Sequence, residues 1–289
     1  MMNANEHIPS RQLEFVKMQG CGNDYIFIDR FENTVDDPAS LARRLSDRHF
    51  GIGGDGVVLI CPSERADAAM RMFNRDGSEG LMCGNAIRCV GKYLYDTRGV
   101  RHSPITVETR AGLRSLDMIV SGGKATGARV MMGQLITAPA DIPVLLDGEC
   151  IVGRELTVGG KKYSVTCVSV GNPHCVVFCD DPDAVDIEKL GPEFENCPIF
   201  PERVNTEFVR ADGGELFMRV WERGSGETLA CGTGACAAVG AAVLGGICPR
   251  GEDIKVHLRG GILAVRCEAD GTLYMTGDAT EVFRGTVMV

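Results

Sequence analysis

The sequence lacks a long apolar segment and any concentrated block of positive charge. Its longest apolar stretch, residues 235–248, is 14 residues long, whereas a membrane-spanning helix needs about 20. No run of Lys and Arg interrupts a formal net charge of −9, so nucleic acid is not an expected partner. The first 15 residues contain no apolar core of signal-peptide length. Membrane, secreted and nucleic-acid-binding proteins are therefore disfavoured.

Cysteine spacings typical of disulfide frameworks or zinc sites are also absent. The count of 13 cysteines is odd, which does not suit a fully paired secreted framework. No C-x-x-C pair occurs. Cys175 and Cys179 form the closest such spacing, but no second pair of Cys or His ligands accompanies them to complete a zinc site. We therefore expect reduced thiols in a cytoplasmic protein that holds no metal.

What the sequence has instead is abundant glycine, 37 of 289 residues, and an internal repeat. Residues 70–84 and 218–232 align without gaps at a spacing of 148, with seven of fifteen positions identical. Gly22-Asn23 recurs 149 residues later as Gly171-Asn172. Two matches at almost one spacing indicate two similar halves related by a pseudo-twofold axis.

The local pattern is that of many short strands and few helices. We predict a helix over residues 41–48 with Ser40 as its N-cap, and two more that start just after Cys83 and Cys231. The last of these is apolar on every side, so protein should surround it. A curved, mostly antiparallel sheet wrapped around a helix would satisfy that demand. The predicted class is α+β, with a crossover between the halves near residues 131–138.

The repeated cysteine is the strongest candidate for chemistry. A thiol at a helix N-terminus has its pKa lowered from about 8.5, and the free N–H groups there bind carboxylates. Two such ends facing each other would hold an amino-acid carboxylate with one sulfur on each side of its α-carbon. Inverting a stereocentre needs one group to remove a proton and another to deliver one. Cys83 and Cys231 could do both without metal or cofactor, with His174 or Glu222 as thiol bases.

An ordered set of motifs resembles the diaminopimelate epimerases, from about Phe15 to Val282. The segments that carry the resemblance are MQGCGNDYIFID (18–29), HFGIGGDGVVLI (49–60), FNRDGSEGLMCGNAIRC (73–89), VGNPHC (170–175), FPERVN (200–205) and ERGSGETLACGTGACAAV (222–239). Two residues depart from the family pattern: Ala86 stands where glycine is usual, and Cys21 where many members have no thiol.

The resemblance implies two pseudo-symmetric domains with the active site in the cleft between them. Residues 1–131 with 277–289 would form the half that carries Cys83, and residues 132–276 the half that carries Cys231. The implied activity is conversion of LL- to meso-diaminopimelate in lysine and peptidoglycan precursor synthesis, by a cofactor-independent enzyme. The resemblance also implies a homodimer.

The resemblance also implies a role for each site residue. Cys83 and Cys231 would be the two acid/base groups, assisted by His174 and Glu222 respectively. Arg223 would bind the distal carboxylate with its planar fork. The remaining substrate-binding residues would be Asn23, Asn74, Gly84, Asn85, Asn172, Asn205, Glu222, Gly232 and Thr233.

Other functions fit less well. A proline racemase shares the two-cysteine logic but typically carries His where Asn85 stands, and its substrate has no distal carboxylate for Arg223. A two-lobed amino-acid binding protein would not need paired thiols. Gly51, Gly53 and Gly56 fit G-x-G-x-x-G but precede a strand, unlike a nicotinamide site. No lysine lies in a phosphate-binding context suited to pyridoxal phosphate.

Overall fold

The computed structural model describes residues 11–289. Residues 1–10 lie outside the described part of the chain. Two predictions fall partly on them: the absence of a signal peptide in the first 15 residues, and the start of the first domain at residue 1. The first half of the chain forms β1 (Gln12–Gly20), β2 (Asn23–Asp29), α1 (Pro38–Leu45), β3 (Gly56–Cys61), β4 (Ala68–Asn74), β5 (Glu79–Gly80), α2 (Gly84–Asp96), β6 (Ile105–Thr109), β7 (Gly112–Ser121) and β8 (Lys124–Gln134).

The second half repeats this order of elements, with one strand added before the repeat and one after it. It comprises β9 (Ile151–Val158), β10 (Lys161–Ser169), β11 (Pro173–Phe178), α3 (Ile187–Glu195), β12 (Asn205–Asp212), β13 (Glu215–Glu222), β14 (Gly226–Glu227), α4 (Gly232–Leu244), β15 (Ile254–Leu258), β16 (Gly261–Cys267), β17 (Thr272–Asp278) and β18 (Thr280–Met288). The repeat runs from β10 to β17, so β9 and β18 are the added strands. Two single turns of 3₁₀-helix, Pro139–Asp141 and Pro182–Ala184, lie in the connections.

Strand pairing is the same in the two halves. The hairpin β1–β2 corresponds to β10–β11, and each hairpin is followed by a short helix and a parallel neighbour, β3 or β12. An antiparallel partner comes next, β4 or β13, which also pairs in parallel with β6 or β15. The remaining strands continue as antiparallel meanders. The duplication inferred from the sequence therefore extends to the topology of the strands.

Each half wraps its sheet around one long helix. Helix α2 packs against β1, β7 and β8, and α4 packs against β10 to β13 and β15 to β17. Because α4 has strands on all sides, eleven of its 13 residues are buried, as predicted from its apolar circumference. Within residues 11–289, no helix has the length and apolarity needed to cross a bilayer.

The halves join into one sheet system. Strands β8 and β17 pair antiparallel, and β18 returns to pair with β1 of the first half. The predicted α+β fold of two pseudo-symmetric halves is confirmed. Strand β8 continues to Gln134, so the predicted crossover begins inside a strand and the link to β9 runs over residues 135–150. The domain boundaries themselves stay predictions.

The predicted start of the first helix was wrong. The helix begins at Pro38, and its N-cap is Asp37, whose carboxylate accepts a hydrogen bond from the Ser40 backbone N–H at 3.0 Å. The physical reason is Pro38, because proline suits a first helical position, where no N–H is needed and its fixed φ fits the helix. Ser40 thus donates to the cap instead of being the cap.

This assignment of the cap can be tested by two single substitutions. Asp37→Ala should lower the free energy of unfolding by about 1 kcal/mol, because it removes an N-cap acceptor. Ser40→Ala should change it by less than about 0.5 kcal/mol, because the Ser40 backbone N–H persists. Urea unfolding followed by circular dichroism measures both. A larger loss for Ser40→Ala than for Asp37→Ala would contradict the assignment.

Candidate active site

A cleft of about 920 Å³ opens where the first turns of α2 and α4 meet. It takes residues from both halves, as the repeat predicts. Ten of the predicted site residues line it: Asn23, Asn74, Cys83, Gly84, Asn85, Asn172, Glu222, Cys231, Gly232 and Thr233. Three others do not: His174, Asn205 and Arg223.

The two helices meet head to head at their glycines. A Cβ added to Gly232 would lie 3.7 Å from the Cα of Gly84, an ordinary van der Waals contact, so the two helix starts lie directly against each other. Beneath both lies Met275, which is fully buried; its Cε and Sδ would be 2.6 Å and 3.1 Å from Cβ atoms added to Gly84 and Gly232. The first turns of both helices, where N–H groups lack intrahelical partners, therefore lie next to each other at one cleft.

Cys83 lies at the N-cap of α2 in extended backbone conformation. The backbone N–H groups of Ala86 and Asn85 and the hydroxyl of Tyr25 lie close enough to its sulfur to lower the pKa of the thiol. Burial acts in the opposite direction and is the largest effect, so the pKa of Cys83 is raised overall.

Cys231 occupies the equivalent N-cap of α4. Its sulfur accepts a hydrogen bond from the Gly234 N–H at 3.3 Å and lies 3.4 Å from the hydroxyl oxygen of Thr233. Burial raises the pKa of this thiol well above its ordinary value, and the carboxylates of Glu222 and Glu207 raise it further. The expectation that the helix N-termini lower the pKa of these thiols was therefore wrong in its net direction, because the loss of water outweighs the N–H donors.

Glu222 is placed to act on Cys231. The Cys231 thiol is a hydrogen-bonding neighbour of the Glu222 carboxylate, which also accepts a hydrogen bond from the Thr228 hydroxyl. Burial nevertheless raises the pKa of Glu222. A carboxylate with a raised pKa is a stronger base, so this contact suits proton exchange with the thiol.

A buried arginine organises the start of α2. The Arg88 guanidinium donates to the carbonyls of Gly84 (3.0 Å) and Asp278 (2.9 Å), and to the side-chain oxygen of Asn85 (2.9 Å). Asn85 in turn donates to the side-chain oxygen of Asn23 at 3.0 Å. Two predicted substrate-binding asparagines are thus oriented by a residue that the sequence analysis missed.

The three predicted residues away from the cleft wall have other partners. Both ring nitrogens of the buried His174 are engaged, by Glu207 and Asn172. Asn205 donates to the Pro173 carbonyl and accepts from the backbone N–H of Arg223. The Arg223 guanidinium donates to the carbonyl of Glu202 at 2.8 Å.

Sequence reasoning missed Tyr25, Arg88 and Glu207. The available signal was a polar residue in an apolar context: Arg88 falls within the buried face of α2, and Glu207 within an otherwise buried strand. Within residues 11–289, no three His, Cys, Asp or Glu side chains cluster as metal ligands would.

Comparison with known proteins places the chain in a family. The family model described as Diaminopimelate epimerase matches residues 15–137 and 166–282. Curated relatives of that name include those of Acetivibrio thermocellus (51% identical, covering 95% of this chain and 98% of the relative) and Desulfovibrio desulfuricans (52% identical, 94% and 97%). The chain belongs to the diaminopimelate epimerase family.

Solved structures share the fold of this family member at much lower identity. A hydroxyproline epimerase from Agrobacterium vitis superposes with a TM-score of 0.68 at 15% identity, covering 96% of this chain and 91% of that one. A phenazine biosynthesis protein of the PhzF family from Bacillus anthracis gives 0.68 at 15% identity, covering 96% and 100%. At such identities the likeness concerns the fold alone.

The Tyr25 hydroxyl provides a test of the surroundings of Cys83. Tyr25→Phe removes a group that lowers the pKa of Cys83, so that pKa should rise and the thiolate fraction at pH 8 should fall. Alkylation of Cys83 by iodoacetamide should slow by about tenfold, the effect of one hydrogen bond to a charged group. Peptide mass spectrometry separates Cys83 from Cys231, whose rate should not change.

Tyr163→Phe is the matched control, because Tyr163 lies in the second half outside the cleft. Unchanged labelling of Cys83 in Tyr25→Phe would show that the hydroxyl does not act on the sulfur.

Proposed function

We propose that this family member is a cofactor-independent epimerase that interconverts LL- and meso-diaminopimelate by proton transfer at the α-carbon. The observation that carries the proposal is the meeting of two helix N-termini at one cleft, each with a thiol at its N-cap. Identity of about 50% to relatives named diaminopimelate epimerase supports the choice of substrate.

The converging helix ends explain how the reacting carboxylate is held. We assign the reacting carboxylate to the N–H groups at Gly84, Asn85, Gly232 and Thr233, residues that line the cleft at the starts of the two helices. A carboxylate there accepts from both helices and benefits from both dipoles. When the α-proton leaves, negative charge spreads onto the same carboxylate oxygens, and the fixed donors stabilise it without reorganising.

Proton transfer follows from the two sulfurs. One cysteine, as the thiolate, takes the α-hydrogen and becomes a thiol, while the C–H electron pair stays on the substrate as the enolate. The other cysteine, as the thiol, gives its hydrogen to the opposite face of the carbon and becomes a thiolate. Configuration is inverted and the enzyme ends with the two protonation states exchanged, so the reverse reaction starts from the other sulfur.

Because burial raises the pKa of both thiols, each requires a base. Glu222, in contact with Cys231, is our candidate for that side. For Cys83, the family resemblance implies His174, whose Nε2 would first have to lose its hydrogen and its bond to Asn172. Tyr25 is the neighbour that stabilises the Cys83 thiolate.

The distal end of the substrate is assigned to side chains around the cleft. Asn23, Asn74 and Asn172 offer neutral hydrogen bonds from the cleft wall, whereas Asn205 and Arg223, which the resemblance also implies, lie off that wall. For Arg223 to bind a carboxylate, its guanidinium must exchange its bond to the Glu202 carbonyl for the ligand. A cytoplasmic location and a homodimer stay predictions.

The central experiment follows LL-diaminopimelate in deuterated water. The wild-type protein should form the meso isomer and incorporate deuterium at the inverted carbon. Cys83→Ala and Cys231→Ala should each lower turnover at least about 100-fold, the usual contribution of a general acid or base. Cys150→Ala replaces an exposed cysteine and serves as the control.

Two outcomes would contradict the proposal. Binding without exchange or inversion would indicate a binding protein. Turnover above about a hundredth of wild type in either active-site variant would exclude that sulfur as an essential base.

Replacing Glu222 should affect alkylation and turnover in opposite directions. Glu222→Gln removes a negative charge that raises the pKa of Cys231, so that pKa should fall and alkylation of Cys231 at pH 8 should accelerate several-fold. Epimerisation should nevertheless slow, because the base is lost. Parallel loss of both rates would argue that Glu222 acts only on the structure of the cleft.

A further inference from the structure

A carboxylate–imidazole pair is buried directly behind the cleft wall of the second half. Oε1 of Glu207 lies 2.6 Å from Nδ1 of His174, and both side chains are 0% exposed. The two residues come from the parallel strands β11 and β12. The first turn of α4 packs on the pair, since a Cβ added to Gly234 would lie 2.8 Å from Oε1 of Glu207.

From this pair, a chain of side-chain contacts runs to the sulfur of Cys231. Nε2 of His174 lies 3.0 Å from Oδ1 of Asn172. The side-chain nitrogen of Asn172 donates to the hydroxyl oxygen of Thr233 at 3.4 Å. That oxygen is 3.4 Å from the sulfur of Cys231.

The chemistry of each group gives the chain a direction. A carboxylate can only accept, so Nδ1 of His174 carries a hydrogen toward Glu207. This direction requires a hydrogen on Nε2 as well, so that the ring is an imidazolium paired with the Glu207 carboxylate. Nε2 then donates to the amide oxygen of Asn172, and the amide nitrogen donates to Thr233. The hydroxyl of Thr233 has then used its oxygen as acceptor, and its hydrogen is free to point at the sulfur. The Glu207 carboxylate therefore determines whether the Thr233 hydroxyl donates a hydrogen bond to the Cys231 sulfur.

The other oxygen of Glu207 indicates that the carboxylate is not there for stability. Among the described residues, Oε2 is buried without a hydrogen-bond partner. A half-satisfied buried carboxylate costs folding free energy, and an apolar side chain of similar volume would often be as stable or more so. A group kept at such a cost beside a reactive sulfur calls for a role in the chemistry.

We propose that Glu207 is a positioning residue of the reaction, which orients the Thr233 hydroxyl toward the Cys231 sulfur through His174 and Asn172. The inference rests on the proposed function, because it concerns the same sulfur. A hydroxyl hydrogen aimed at Cys231 stabilises the thiolate and hardly affects the thiol. The chain therefore acts on the step in which Cys231 carries charge, and should alter kcat more than KM.

Glu207→Met tests this by replacing the carboxylate with an apolar side chain of similar length. We expect kcat to fall about 10- to 100-fold, the effect of one hydrogen bond to a charged group, with KM within about threefold and Tm not lowered. Glu207→Gln should lose less than about threefold, because its amide oxygen still accepts from Nδ1. Glu215→Met is the control: it also removes a carboxylate from a histidine, His257, in the same half but outside the cleft.

A double-mutant cycle identifies the path of the effect. Thr233→Val removes the last donor but keeps the backbone N–H. If Glu207 acts through Thr233, Glu207→Met should cause little further loss in the Thr233→Val background. Proton NMR supplies a second signature: a far-downfield resonance from the 2.6 Å Nδ1–H bond should be present in wild type and Glu215→Met, and absent in Glu207→Met.

The outcomes separate this inference from the proposed function. If wild type epimerises LL-diaminopimelate and Glu207→Met does so within twofold, Glu207 does not position the site. Additive losses in the cycle, or equal losses in Glu207→Met and Glu207→Gln, would also overturn the inference. If Glu207→Met fails to fold, the cycle is run with Glu207→Gln, whose small loss should vanish in Thr233→Val. Absence of epimerisation by wild type would instead refute the proposed function.

Discussion

The head-to-head contact of α2 and α4 is the constraint on which the rest of the structure depends. Two helix N-termini repel each other electrostatically, so their approach must be stabilised by packing. The glycines at 84 and 232 permit it, buried Met275 fills the space beneath them, and both helices are enclosed by strands of a continuous sheet system. An anionic carboxylate between the helix ends would relieve the repulsion. The fold thus creates an anion site from backbone N–H groups at two helix starts.

Duplication made the two sulfurs equivalent in backbone position but not in surroundings. Cys83 has a phenol beside it, whereas Cys231 has the carboxylate of Glu222 and, behind it, that of Glu207. Burial raises the pKa of both thiols. At Cys231 the next largest effects are the negative charges of Glu222 and Glu207, whereas at Cys83 they are hydrogen bonds that lower the pKa. Each sulfur must alternate between thiol and thiolate, so the two directions of the reaction begin from groups with different partners. Stereoinversion needs two bases on opposite faces and does not require identical ones.

The features that could be predicted from the sequence were those that follow from the spacing of residues along the chain. The repeat at 148 residues placed both cysteines immediately before helices, and the apolar circumference of α4 required an enclosing sheet; both follow from local pattern. The features missed depend on what the fold brings near. Ser40 and Asp37 are both acceptable caps, and Pro38 with the local geometry decides between them. The pKa of a thiol at a helix start depends on how much water the other half excludes, which no local pattern records. The apolar context of Arg88 and Glu207 is visible in the sequence, but their partners are known only from the fold.

Arg88 shows why the C-terminal strand has to return to the first half. Its guanidinium is fully buried, and within residues 11–289 no carboxylate lies within ion-pairing distance of it; its bonds go to two backbone carbonyls and to Asn85. One of those carbonyls belongs to Asp278, where β17 ends and the chain turns into β18. The Asp278 side chain meanwhile accepts from the backbone N–H of Cys21 beside the turn that presents Asn23. A cation without a counter-charge is tolerated only where its hydrogen bonds are well satisfied, so the return strand, the Asn23 turn and the start of α2 must assemble together. The start of α2, which carries Cys83, is therefore held in place by the turn between β17 and β18.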